Sequence, residues 1–194
     1  MERKKIILII LIIAVLAGCV IGGYYAYGHY MNQKFEENFK LQYQAAINAQ
    51  KHDNASEKYL KGNSFSKPDY EDAVNNYLTD QNKSVNYLKQ RIKYLEEMEK
   101  YSPDEIHKKY TEALMNNNLE NLKFSQLNIE LLKLLVWPGV FSNETRAKEI
   151  QSQMNDTLQK MEISENEISK AKLQSSELNN QIQNLTEQAE MAIY

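Results

Sequence analysis

Apolar residues recur with helical spacing along most of this chain. From residue 69 onward they alternate in steps of four and three, the heptad spacing of helices that pack on one another. No segment shows the alternation of period two that is typical of a strand. The pattern therefore predicts an all-α fold, an elongated antiparallel helical bundle with coiled-coil-like heptads. The longest heptad run comprises Ile150, Met154, Thr157, Met161, Ser164, Ile168, Ala171, Ser175, Leu178, Ile182, Leu185, Ala189 and Ala192.

The three prolines, Pro68, Pro103 and Pro138, divide this pattern into segments of similar length. Proline lacks an N–H and is tolerated in the first turn of a helix but not in its interior, so the three mark helix boundaries. We predict helices at about 31–60, 69–101, 103–136 and 143–192. In the sequence "SPDE", Ser102 is the predicted N-cap of the third helix.

Short connections between helices favour an up-and-down arrangement. The last predicted helix, 143–192, is then about 75 Å long and extends past its neighbours. Its far end is expected either to pair with the stalk formed by residues 24–52 or to meet a second copy of the chain. A homo-oligomer is therefore one expected assembly.

Several heptad core positions carry polar side chains. Buried polar residues at such positions can set helix register or oligomeric state at a cost in stability. The alternative interpretation is that part of each apolar seam faces water. The residues concerned are Gln81, Asn117, Glu120, Thr157, Ser164 and Ser175.

The N-terminus differs sharply from this polar body. The basic sequence "MERKK" precedes an almost wholly apolar run, residues 6–27, which spans about 33 Å as a helix and suffices for a hydrocarbon core of about 30 Å. Basic residues before a first span hold that end in the cytoplasm. The pattern predicts a membrane helix within residues 1–30 and an extracytoplasmic body, residues 31–194. Tyr24, Tyr25, Tyr27 and Tyr30 follow where an interfacial aromatic belt is expected.

The sequence "LAGC", Leu16-Ala17-Gly18-Cys19, resembles the lipobox of prokaryotic lipoproteins. The resemblance covers residues 1–19 only, and it implies a cell-envelope protein cleaved before a diacylated Cys19. The apolar sequence "VIGGYYAY" after Cys19 instead favours an uncleaved signal anchor. The two alternatives predict different mature proteins.

Composition argues against several functions. The net charge is -3, with 23 basic and 26 acidic residues well mixed, so nucleic acid is not an expected partner. Cys19 is the only cysteine, and the three histidines lie far apart. Asp104 and His107 form a lone i, i+3 pair without a second motif, which we interpret as a chance surface pair. We therefore predict no catalytic residue, no metal site, no cofactor and no enzymatic activity.

Two groups of aromatic residues are candidates for contact with a partner. Tyr87, Tyr94 and Tyr101 are spaced by seven and form a stripe that could bind an envelope protein or a glycan, or could cover a flank between helices. Trp137 and Phe141 belong to an apolar hairpin that could dock a partner or plug the end of the bundle. The sequence thus predicts a membrane-attached binding, spacer or scaffold module. A sensory ectodomain that works through a membrane partner is the alternative.

Overall fold

A computed structural model describes residues 2–60, 67–136 and 144–191, and the side chains of residues 20, 22–59, 71–134 and 144–191. Within these ranges the predicted all-α fold is confirmed, and no strand occurs. The five helices are α1 (Glu2–Leu60), α2 (Lys67–Lys100), α3 (Glu105–Val136), α4 (Glu144–Gln174) and α5 (Ser176–Met191).

The first four helices alternate in direction. Tyr30 of α1 contacts Tyr101 just after α2, and His52 contacts Asp80 further along, so α1 and α2 are antiparallel. Asn118 of α3 bonds to the carbonyl of Leu88, and α4 returns along α3. We call the end near Tyr30 and Tyr101 the base of the bundle and the opposite end the tip. The helical bundle predicted from the heptads is therefore confirmed.

The main apolar core lies at the base and draws on all five helices. Phe35, Leu95, Met98 and Leu178 are each fully buried. Burial of such side chains contributes about 1.5–3 kcal/mol each relative to exposure. The cluster comprises Phe35, Phe39, Leu95, Met98, Tyr110, Leu114, Ala171, Leu178, Ile182 and Leu185.

The last predicted helix, 143–192, is not continuous. The chain breaks at Ser175, whose hydroxyl accepts the N–H of Leu178 at 3.1 Å and so caps α5. Gln181 of α5 contacts Asn32 and Glu36, and further along Glu190 contacts Tyr43, so α5 runs in the same direction as α1. The predicted overhang past the base is therefore wrong. The end of the chain does contact the stalk, but α5 points away from residue 24, opposite to the predicted direction. The reversal lets Leu178 and Ile182 enter the base core instead of water.

The turn from α2 to α3 also differs from the prediction. Asp104, not Ser102, is the N-cap of α3, because its Oδ1 accepts the N–H groups of Ile106 at 2.9 Å and His107 at 2.8 Å. Ser102 instead donates its hydroxyl to the carbonyl of Met98 and closes the end of α2. Pro103 therefore lies in the turn, before the first residue of the helix.

The heptad seam of the last two helices is buried or half-buried from Ile150 to Ala189, although several of its residues are small or polar. Thr157 and Ser164 are buried, and each donates its hydroxyl to the carbonyl four residues earlier in α4. Gln81 is buried in the same way between α1 and α2. At these three positions the polar side chains lie inside the bundle and do not face water.

Among the described residues, no helix combines the length and the apolar character needed to cross a lipid bilayer.

Candidate functional site

Tyrosines on the outside of α1 mark the segment just before the bundle begins. Tyr24, Tyr25 and Tyr27 are 78%, 74% and 63% exposed, and Tyr30 is partly covered by Tyr101 at 6.0 Å between ring centroids. Every side chain described from residue 20 to residue 30 is exposed. This stretch of α1 is therefore an uncovered aromatic surface, which we call the tyrosine collar.

The tyrosine stripe predicted on α2 packs against α1. The ring of Tyr87 stacks on His52 at 5.7 Å, and Tyr101 meets Tyr30 edge to face at 6.0 Å. Tyr94 is likewise half-buried. These positions suit tyrosines that cover the flank between two helices, and a role of the stripe in partner binding stays a prediction.

Three other candidate residues fall outside the described side chains. They are Cys19, Trp137 and Phe141. Residue 19 lies within the helical backbone of α1, whereas Trp137 and Phe141 fall in the undescribed segment between α3 and α4.

The most concentrated polar group lies in a groove at the base. His107 is only 5% exposed, so its interpretation as part of a surface pair is wrong. Its Nε2 lies 2.9 Å from Oε1 of Gln181 in α5, and Phe35 meets its ring edge to face at 5.1 Å. The groove has a volume of about 440 Å³. Residues lining it include Asn32, Glu36, Asp104, His107, Glu177 and Gln181.

A half-buried cation, Arg91, forms the second polar group, in the middle of the bundle. Arg91 donates through Nε to Oε1 of Gln42 at 2.9 Å and through Nη1 to Oδ1 of Asn118 at 3.4 Å. Burial lowers the pKa of this guanidinium. Both acceptors are neutral amides, and through them Arg91 ties α1, α2 and α3 together by hydrogen bonds.

Two carboxyls near the tip have opposite environments. Burial raises the pKa of Asp53, although Gln81 donates to its Oδ1 at 3.2 Å. Burial would also raise the pKa of Asp80, but hydrogen bonds from Lys83 and His52, together with their charges, lower it overall. Compared with an aspartate in water, the surroundings of Asp53 therefore disfavour the charged form and those of Asp80 favour it.

The two carboxyls predict opposite mutational effects at neutral pH. Because the pKa of Asp53 is raised in the folded protein, this carboxyl stabilises the fold when the pH is below its pKa in the unfolded chain, and the stabilisation is lost as the pH rises. At neutral pH the charged Asp53 therefore destabilises the fold. We expect Asp53→Asn to raise Tm by about 2 °C. Because the pKa of Asp80 is lowered in the folded protein, its charged carboxylate stabilises the fold when the pH is above its pKa in the unfolded chain, and this stabilisation is lost as the pH falls. At neutral pH it is fully present, so Asp80→Asn should lower Tm by about 2–4 °C.

Thermal unfolding followed by circular dichroism, at neutral pH and in acid, measures both variants of this pair. Each serves as the control for the other, since both remove one carboxylate near the tip. Both differences should shrink in acid, where the carboxyls are protonated in either state. Equal shifts of the same sign at neutral pH would contradict the assignment.

Among the described residues, no three histidine, cysteine or acidic side chains are placed so that they could hold a metal ion. The groove at the base combines one imidazole, three carboxylates and several amides, an arrangement suited to hydrogen bonds between helices. Sequence reasoning missed it because Asn32, His107 and Gln181 lie on three different helices. The sequence did contain one indication of this site. The spacing of Leu178, Ile182 and Leu185 predicts that one face of α5 lies in the core.

Comparison with known proteins gives no relative: no family description, no curated protein and no solved structure matches this chain.

Proposed function

We propose that this chain is a membrane-attached helical bundle of a prokaryotic cell envelope, which acts by binding or spacing and not by catalysis. The observation that supports this best is the continuity of α1, which runs as one helix from Glu2 into the bundle. The apolar run, residues 6–27, belongs to that helix. Whatever holds the apolar run therefore also fixes the position of the bundle.

The tyrosine collar supports the same proposal. In water, an uncovered helix that carries Tyr24, Tyr25 and Tyr27 beside an apolar run would expose a large hydrophobic patch, which soluble proteins avoid. Tyrosine rings are favoured at the level of lipid headgroups. A bilayer surface at the collar would cover this patch.

Cleavage before Cys19 would interrupt α1, whereas an uncleaved anchor keeps it whole. The apolar sequence "VIGGYYAY" after Cys19 supports the signal anchor over the lipoprotein in this proposal. The bundle extends away from the anchor: about 33 residues of α1 after the apolar run correspond to about 50 Å. In the mechanism we propose, the bundle holds a binding surface at that distance from the membrane. The tip and the tyrosine stripe are the candidate surfaces that would contact an envelope protein or a glycan.

Charges placed in the apolar run test the membrane attachment. Each aspartate at the centre of a membrane helix costs about 2.5–3.5 kcal/mol, so the double variant Ile9→Asp, Ile13→Asp should move the protein from the membrane fraction to the soluble fraction. The measurement is fractionation after alkaline carbonate extraction.

The matched control carries two aspartates on the exposed face of α4, Gln151→Asp and Gln153→Asp, and should stay with the membrane. The intact mass of the extracted wild-type protein distinguishes the two anchors. A mass that corresponds to a chain starting at Met1, and not at an acylated Cys19, would show that the anchor is uncleaved. A wild-type chain that carbonate releases would overturn the proposal.

A further inference from the structure

One side of α4 lies outside the packing of the bundle. Within the described part of the chain, α4 packs closely on α3 and meets α5 at its end, whereas neither α1 nor α2 packs closely on it. In the middle of α4, Ile163 is 59% exposed, and Leu119 of α3, which is 44% exposed, lines the same groove. Single exposed apolar residues are common on protein surfaces, so these two alone do not indicate a partner.

The charges on either side of Ile163 do indicate one. Exposed side chains follow one another along α4 in steps of four and three, and most of them line the groove between α3 and α4. From Ile163 toward either end of the helix, the order is a charged residue, a second of opposite charge, and then an amide. The signs are opposite in the two directions. We call this set the α4 stripe, and it comprises Gln153, Asp156, Lys160, Ile163, Glu167, Lys170 and Gln174.

Such a stripe is complementary to itself when two copies run antiparallel. With Ile163 of both copies at a two-fold axis, Lys160 of one copy faces Glu167 of the other. Asp156 faces Lys170 in the same way, and the symmetry repeats each contact. Parallel pairing in register would instead place like charges opposite each other, which is unfavourable. The order of charges therefore specifies both the partner, a second copy, and its direction.

The contacts within α4 do not oppose this pairing. Nζ of Lys160 lies 2.8 Å from Oδ2 of Asp156, one turn away, and both side chains are about half exposed. Exposed ion pairs of this kind contribute little to stability, so the lysine can contact a second carboxylate without losing the first. At the two ends of the stripe, Gln153 and Gln174 can exchange amide hydrogen bonds. An apolar centre with a polar rim is the usual anatomy of a protein interface.

We propose that the α4 stripe is a self-pairing surface, through which two copies of this chain form an antiparallel, two-fold symmetric dimer. The contact extends over about 22 residues of each α4, or about 33 Å. This inference goes beyond the proposed spacer function by assigning it a partner. The two-fold axis also reverses α1, so the two apolar runs leave the dimer at opposite ends. In the membrane-attached form, and resting on that proposed function, the two copies would be anchored in facing bilayers.

Size-exclusion chromatography with light scattering, on the full-length chain in detergent micelles, tests the pairing. The protein mass should rise from one chain toward two as the concentration increases from about 1 μM to about 100 μM. Lys160→Glu places carboxylates opposite each other twice in the dimer and should weaken it by about tenfold or more. Adding Glu167→Lys exchanges the two signs and should restore the dimer. Circular dichroism establishes that each variant is folded.

Lys148→Glu is the matched control for the charge reversal. Lys148 also lies on α4 with an acidic partner one turn away, Glu144, but it is outside the α4 stripe. This variant should dimerise like the wild type. A wild-type chain that stays monomeric over the whole range would overturn the proposal, as would a folded double variant that dimerises no better than Lys160→Glu. Neither result depends on membrane attachment, so a failure of the pairing is distinct from a failure of the anchor.

Cysteine cross-linking tests the direction of the pairing, in a chain that carries Cys19→Ser. Ile163→Cys should form a disulfide with its own copy at the two-fold axis, because a disulfide requires Cα atoms within about 7 Å. Lys160→Cys and Glu167→Cys should cross-link when mixed but little when alone, since antiparallel pairing displaces each from its own copy by about 10 Å. Efficient cross-linking of Lys160→Cys with itself would show parallel packing and refute the proposal.

Discussion

Replacing Phe35 with alanine is expected to lower the free energy of unfolding by about 3–5 kcal/mol. Phe35 is fully buried in the base core and packs edge to face on His107. Its removal leaves a cavity where all five helices meet, and the surrounding helices can close it only in part. Urea unfolding of the full-length chain in detergent, followed by circular dichroism, gives the difference.

Leu158→Ala is the matched control for this loss, since Leu158 lies on α4 and is 47% exposed. It should change the free energy of unfolding by no more than about 0.5 kcal/mol. A Phe35→Ala variant as stable as Leu158→Ala would show that the base is not the main core of the bundle.

The second large effect concerns the hydrogen bonds of Arg91. The double variant Gln42→Leu, Asn118→Leu keeps the half-buried guanidinium but removes both of its acceptors and the donor to the Leu88 carbonyl, and should cost about 3–5 kcal/mol. Adding Arg91→Met should recover the part of this loss that comes from the stranded charge, whereas the Leu88 carbonyl stays without its donor. The same urea titration measures both variants.

Two exposed positions supply the control, with Asn116→Leu and Asn86→Leu expected to leave stability nearly unchanged. If Arg91→Met fails to rescue the double variant, the cost came from poor packing of the introduced leucines and not from the stranded charge.

Much of the fold follows from heptad spacing, because that spacing reports which side of a helix is buried. The run from Ile150 to Ala189 is buried or half-buried at each position, including its polar members. Spacing does not report direction, however. The heptad continues unchanged through Ser175, so a straight helix and a reversed one have the same pattern. The choice between them depends on the contacts of Leu178 and Gln181 with distant helices.

The same limit explains the groove at the base. The pair Asp104 and His107 was visible in the sequence, but its burial depends on Phe35 and α5. At the α2–α3 turn, the pattern "SPDE" contains two residues that can cap a helix, and spacing alone did not distinguish Ser102 from Asp104. The structure selects Asp104, which leaves Pro103 outside the helix. Local sequence rules place such features within a few residues, whereas long-range packing decides which residue performs the role.

The continuity of α1 also couples the orientation of the apolar run to the position of the tip. In the membrane-attached form that we propose, a change of tilt in the apolar run would move the residues near Leu60 as well, because α1 has no break between them. Membrane helices tilt by about 20° on average, and over about 50 Å of α1 such a tilt displaces the tip sideways by about 17 Å. Bilayer thickness, through the tilt that it imposes, would then set where the tip makes contact.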